Sequence, residues 1–143
     1  MRTIALRFGE HFSPKCGTIA AHEEIINDIG YVWYGKMGAV VSKNISNEIM
    51  SNSKQRILLI RSGKPERYWA YVEKIQYEVP PIREIPSYYR EVAGTFKTWF
   101  KVSRFELAEK DIMSKCIVTS SGNSLSEVSK HSMSPYFIIN DEE

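Results

Sequence analysis

Gly30-Tyr-Val-Trp-Tyr-Gly-Lys-Met-Gly38 puts three aromatics, one cation and three glycines into nine residues, directly after a helical pattern. Gly30 can end that helix in the left-handed conformation, and Gly35 and Gly38 let backbone or ligand approach where a side chain would block it. Trp33 and Tyr34 stand between them as flat surfaces with a polar edge. Two readings are open at this point: a helix-to-strand junction whose aromatics enter the core, or one wall of a pocket for a flat ring such as a nucleobase.

Upstream, residues 3–8 alternate with Ile4, Leu6 and Phe8 on one face, which is the period of a half-buried strand. Residues 9–17 read as a loop, and Thr18 can cap a helix whose apolar stripe is Ile19, His22, Ile25, Ile26 and Ile29. His22 on that stripe reads as a hydrogen-bonded core histidine rather than a ligand. Downstream, residues 39–42 complete a second strand and 44–52 form a short amphipathic helix. Residues 56–61 are apolar throughout their centre, as in a strand covered on both faces. After a turn at 62–65, residues 67–79 alternate, with Trp69, Tyr71, Ile75 and Tyr77 on one face and Tyr68, Ala70 and Val72 on the other. Pro80, Pro81 and Pro86 break regularity across 80–94 and leave room for a short helix at 88–92. A strand follows at 98–105, with Trp99, Lys101, Ser103 and Phe105 sharing one face. Then come a short helix or turn at 107–113, a brief strand at 116–119, a helix opened by the Ser124/Glu127 capping box, and a last strand at 136–139.

This pattern predicts an α+β chain: a curved sheet or pseudo-barrel of about six strands with short flanking helices, the helices being too few for a doubly wound sheet. The predicted domain spans 1–140, with 141–143 as an acidic end or linker. The composition, 43% hydrophobic and 25% charged over 143 residues, is that of a globular domain with a core of its own. Cys16 and Cys116 have no short-range cysteine or histidine partner, which excludes a zinc motif or a disulfide framework and fits a reducing cytoplasm. No run approaches the roughly 20 apolar residues of a membrane span, so no membrane partner is expected.

Enzyme signatures are missing from the sequence: it has no glycine-rich phosphate loop, no G-x-S-x-G, no H-E-x-x-H and no C-x-x-C. The three histidines, His11, His22 and His131, are scattered. The expectation is therefore no catalytic residues, no metal and no cofactor. Aromatic and basic residues instead occur together. Lys54, Arg56, Arg61, Lys64 and Arg67 set five cations against one acid, Glu66, over fourteen positions. The net charge of +2 is too small to announce nucleic acid by itself, so the argument rests on this clustering. Phosphate is the natural partner of Arg56, Arg61, Lys64 and Arg67. Trp33, Tyr34, Trp69 and Trp99 would stack an unpaired or flipped base beside them.

Thr18-Ile-x-x-His22 leading into Gly30-Tyr-Val-Trp-Tyr-Gly-Lys36, followed by Arg61, Tyr68-Trp-Ala-Tyr71, Thr98-Trp-Phe-Lys101 and the closing Ser-Gly-x-Ser and Ser-Pro-Tyr-Phe segments, resembles the EVE-like domains of the PUA superfamily, relatives of the YTH readers. The resemblance implies a compact pseudo-barrel that reads a modified, methylated base through an aromatic cage. It implies DNA ahead of RNA, as in the N-terminal specificity domains of McrB-type restriction systems. A nuclease, motor subunit or C-terminal effector domain would then be the partner. Carried onto this chain, the cage members would be Trp33 and Trp69 or Trp99, and the expected base-binding residues are Trp33, Tyr34, Gly35, Lys36, Trp69, Trp99 and Ser103. Tyr34 stands where the family places a second tryptophan. The rival expectations are an RNA-binding module of the same fold and a small ASCH-like nucleotide-processing enzyme.

Overall fold

The computed structural model describes residues 1–8, 17–61 and 66–141. Among the described residues, seven strands form one sheet: β1 (Arg2–Phe8), β2 (Val32–Lys36), β3 (Arg56–Arg61), β4 (Arg67–Gln76), β5 (Thr98–Leu107), β6 (Ile117–Val118) and β7 (Tyr136–Asn140), in the order β2-β5-β4-β3-β1-β7-β6. Only β1 and β3 run parallel; every other pair is antiparallel. The helices are α1 (Thr18–Ile29), α2 (Lys43–Ser51), α3 (Ile112–Lys115) and α4 (Leu125–His131). This is the curved α+β sheet expected from the strand pattern, with seven strands rather than about six.

The alternation of apolar residues decides which side of the sheet each strand covers. Ile4, Leu6, Val32, Tyr34, Ile57, Leu59, Ala70, Phe100 and Val102 meet on the concave side, where α1 and α2 add Ile25, Ile26, Ile45 and Ile49. The sheet curves far enough for Lys36 on β2 to lie 4.5 Å over the ring of Tyr136 on β7. On the convex side, Ala5, Leu58, Ile60 and Trp69 pack under α3 and α4. Further along that side, Trp33 and Trp99 are covered by Ile85, Tyr89, Ala93 and Phe96 of the β4–β5 connection. The connection forms three 3-10 turns, at Ile82–Glu84, Ser87–Tyr89 and Ala93–Thr95, in place of the expected helix at 88–92.

Several local expectations change for stated physical reasons. Gly30 closes α1 at φ 90, its N–H donating to Ile26 O at 2.7 Å, as the glycine predicts. Thr18 is the first helical residue rather than the cap, which falls to Gly17. The second strand stops at Lys36. Gly38 takes φ +78, the Lys36 ammonium donates to the carbonyls of Met37 (2.9 Å) and Ala39 (2.6 Å), and the chain enters α2 through the Ser42 cap. Between β4 and β5 the register slips twice: Tyr71 faces Arg104, Val72 faces Val102, and Lys74 faces Lys101. Glu73 and Ser103 are thus the extra residues of a bulge. Beyond it the face changes, so Ile75 and Phe105 join the concave core although Trp69 and Tyr71 lie on the convex side. Asp141 is not part of a loose acidic end. It is 6% exposed and pairs with Arg56 at 2.7 Å, while its N–H donates to Met1 O at 2.8 Å.

Candidate functional site

A cavity of 130 Å³ opens between the C-terminal ends of β1 and β2 and the β4–β5 connection. Leu6 and Phe8 come from β1, Tyr34, Gly35 and Lys36 from β2, and Tyr88, Tyr89, Val92 and Phe96 from the connection. Alternation sets the β2 contribution, since Tyr34 and Lys36 face the concave side. Pro86 and the following 3-10 turn bring the two adjacent tyrosines across the gap. Tyr88 and Tyr89 meet edge to face at 4.8 Å, and Tyr89 meets Phe96 likewise at 5.0 Å. Burial, with the neighbouring Tyr34 and Tyr88 phenols, raises the Tyr89 pKa well above the usual tyrosine value, against a hydrogen bond from the Gly35 backbone. Tyr89 is therefore a neutral wall.

Behind the wall lies His22, fully buried, with its ring centroid 5.2 Å from Tyr34 and 5.1 Å from Tyr89. Its Nδ1 is 2.8 Å from the Thr18 carbonyl, which can only accept, so Nδ1 carries the proton. Nε2 is then a bare lone pair, buried without a hydrogen-bond partner among the described residues. Burial lowers the His22 pKa to about 4, opposed in part by the Thr18 contact. At neutral pH the side chain supports the pocket as an uncharged ring.

The structure separates the residues that the sequence grouped together. Tyr34, Gly35 and Lys36 line the cavity. Trp33 and Trp99 do not: both point to the convex side, where Trp33 donates its indole N–H to Glu84 Oε1 at 3.0 Å and Trp99 is completely enclosed. Trp69 lies on the same side of the sheet but in another cluster, beneath the Arg56 guanidinium at 3.9 Å. The three tryptophans therefore form no common cage. Ser103 sits at the β5 bulge, outside the cavity. Gly35 was expected to leave room for a ligand, but its space is already filled. A Cβ there would lie 2.5 Å from Phe96 Cδ2 and 3.0 Å from Trp99 Cη2. Gly35→Ala is expected to lower stability by about 1–3 kcal/mol through overpacking; a urea midpoint equal to that of the wild type would show that Phe96 retreats freely.

The cations also divide. Arg56 is 6% exposed and paired with Asp141 at 2.7 Å. Burial works against its charge, but hydrogen bonds to Asp141 and Tyr71 outweigh that and leave its pKa raised. Arg56, Trp69, Tyr71, Arg104 and Glu106 line a separate 880 Å³ groove in which Arg104 stacks on Tyr71 at 3.8 Å. Arg61, half-buried and 3.8 Å from Glu66, faces Phe8 in register, and Arg67 faces Ile60. Arg61 thus lies level with the cavity wall at Phe8, whereas Arg67 pairs with a residue of the convex side. Lys64 lies outside the described residues.

Sequence reasoning missed Tyr88, Tyr89, Phe96, Arg7 and the β1 residues as cavity walls. The available signal was the tyrosine pair directly after Pro86-Ser87 in an otherwise irregular connection. Arg7 at the rim donates to the carbonyls of Ser129 (2.8 Å), Ser132 (2.9 Å) and Ser134 (3.1 Å), which fixes the turn from α4 into β7. Cys116 is fully enclosed, and burial pushes its thiol up to about 12, so it is inert at neutral pH. Among the described residues, no helix is long and apolar enough to cross a membrane. A family model described as Pua-like matches residues 4–140. Neither the curated proteins nor the solved structures contain a significant match.

Proposed function

The chain belongs to the Pua-like family, whose domains bind RNA or DNA, and on that premise we propose that it is a non-catalytic reader of a modified, methylated base. DNA is the favoured nucleic acid, and the base is flipped out of the duplex into the cavity between β1, β2 and the β4–β5 connection. The observation that carries this reading is the cavity itself. Aromatic rings from Tyr34, Tyr88, Tyr89 and Phe96 converge there, with Arg61 and Arg67 at the same end of the sheet. Aromatic faces stack on a base of any identity, and Arg61, level with Phe8 in the sheet, supplies a cation for the phosphates that flank it. The site proposed differs from the tryptophan cage expected from sequence: tyrosine and phenylalanine take the place of tryptophan, and the β4–β5 connection supplies Tyr88, Tyr89, Val92 and Phe96. A role as specificity module beside a nuclease or motor subunit fits a non-catalytic reader and remains part of the proposal.

The test uses Tyr88, a partly buried wall of the cavity whose ring meets Tyr89 at 4.8 Å, so the variant's urea midpoint is read beside its affinity. Stacking on one aromatic is typically worth about 1–3 kcal/mol, so Tyr88→Ala is expected to weaken binding roughly tenfold or more. Affinity would be measured by anisotropy for one duplex carrying a methylated base paired, mismatched or unmodified, and for the matched RNA. Extrusion costs a few kcal/mol and less at a mismatch, so the mismatched methylated duplex should bind tightest. Equal affinity for all three duplexes, or a Tyr88→Ala protein that binds as the wild type does, would sink the reading. Preference for the RNA would reassign the nucleic acid and leave the pocket in place.

A further inference from the structure

Lys36 is the one cation that turns into the aromatic cavity from β2, and its surroundings are unusual for a lysine. The residue is 4% exposed, and its ammonium meets no carboxylate among the described residues. What it meets are the Met37 and Ala39 carbonyls at 2.9 and 2.6 Å and the face of Tyr136 at 4.5 Å. These are partial charges only. Burial lowers the Lys36 pKa, which records the cost of holding an ammonium there without a counter-charge. An ammonium carries three donors, and the two carbonyls take two of them. A ligand that brings a strong acceptor into this cavity would complete the coordination with a charge-assisted hydrogen bond, stronger than a neutral one.

Size gives a second, independent constraint. The cavity holds 130 Å³, close to the roughly 150 Å³ of an engineered apolar cavity that takes a single benzene ring. That volume matches a single six-membered ring better than a fused pair. The oxygen common to every pyrimidine base is the 2-oxo group beside the glycosidic nitrogen, whereas adenine has no ring carbonyl at all.

Resting on the reading of this cavity as a base pocket, we propose that it selects a pyrimidine, oriented by a hydrogen bond from the Lys36 ammonium to the 2-oxo oxygen. The ring lies against Tyr34, Tyr88 and Tyr89, with Lys36 at its oxygen edge. Lys36 is thus a specificity determinant: a purine is disfavoured by volume, and adenine, whose acceptors are ring nitrogens, lacks the carbonyl oxygen that Lys36 takes.

The experiment places the target base opposite a mismatch in a common duplex as 5-methylcytosine, 2-thio-5-methylcytosine or N6-methyladenine. Each duplex is titrated against the wild type and Lys36→Met, which keeps a similar stem and loses the ammonium. Sulfur is a poor acceptor, so the thio base tests the contact without altering the protein. The wild type should bind 5-methylcytosine at least tenfold more tightly than either of the others, because a hydrogen bond to a charged donor is at stake. In Lys36→Met the difference between oxygen and sulfur should vanish, the requirement for a coupled pair. A wild type that binds N6-methyladenine as well as 5-methylcytosine, or a thio penalty equal in both proteins, overturns the assignment. Tyr88→Ala separates the two levels: if it weakens all three duplexes while no pyrimidine preference exists, only Lys36 selection falls. If it changes none of them, the base pocket falls with it.

Discussion

Asp141→Ala is expected to destabilise the fold by about 3–5 kcal/mol, as much as any single change in this chain, although a sequence reading assigns residue 141 to a loose acidic end. The effect follows from what is left behind. Arg56 and Asp141 have side chains only 7% and 8% exposed and meet at 2.7 Å. Removing the carboxylate strands a guanidinium over Trp69, with the Tyr71 hydroxyl at 3.3 Å as its remaining partner. Arg56 Nε already lacks a hydrogen bond among the described residues, so the site has no spare acceptor to offer. Urea unfolding would read the loss as a lower midpoint at constant slope. The paired replacement of Arg56 by Met and Asp141 by Leu should recover most of it, because burying an ion pair is itself costly and an apolar pair of similar volume is often neutral or better. A frayed end would give a change within about 0.5 kcal/mol, typical of exposed positions, and that result would exclude the ion pair as a closing element.

Acid should destabilise the same fold through His22. The folded-state pKa is lowered to about 4 from 6.5 by burial. The unfolded chain therefore binds this proton more readily, and the stability associated with neutral His22 is present above pH 6.5 and lost as pH falls towards 4. At 1.36 kcal/mol per unit, the loss between pH 7 and pH 4 is about 3 kcal/mol. Carboxylates titrate in the same range, so the quantity to measure is the difference between wild type and His22→Phe, which keeps an aromatic ring among Tyr34, Tyr89 and Phe105. The wild type should lose about 3 kcal/mol more than the variant. Parallel pH profiles would show that His22 is solvated or already charged in the folded protein. Because Tyr34 and Tyr89 also line the cavity, loss of this packing in acid should remove nucleic-acid binding along with it.

The strands were readable because burial alternates with period two along them. Residues 3–8, 56–61 and 136–139 alternate or are apolar throughout, and each became a strand of the sheet. The end of α1 was readable at Gly30 and the start of α4 at Ser124, because both signals are local: a left-handed glycine, and a hydroxyl that accepts from Glu127 N–H at 3.2 Å. The bulge was not readable, since nothing in the one-dimensional pattern marks Glu73 or Ser103 as extra. A one-residue slip sent Ile75 and Phe105 to the face opposite the one their alternation indicates. The tryptophans were misplaced for a related reason. Sequence can count large aromatics, but whether one lines a pocket or fills a core depends on which side of the sheet its neighbours cover. Trp33 and Trp99 stand on the side that residues 80–97 cover.

By itself the sequence determined the elements, the curved α+β class and the presence of aromatic and basic residues around the Gly30-to-Gly38 stretch, because these follow from interactions a few residues long. The tertiary structure alone decided the site. Tyr34 and Lys36 meet Leu6, Phe8, Tyr88 and Tyr89 only once β1, β2 and the β4–β5 connection are brought to one end of the sheet. It also decided the fate of the charges: Arg56 is enclosed by Asp141, distant in sequence, while Arg61 stays partly exposed at the end of β3, level with Phe8. Charge and aromaticity are properties of a residue, whereas burial and partnership belong to its surroundings, and those are assembled by strand order and sheet curvature.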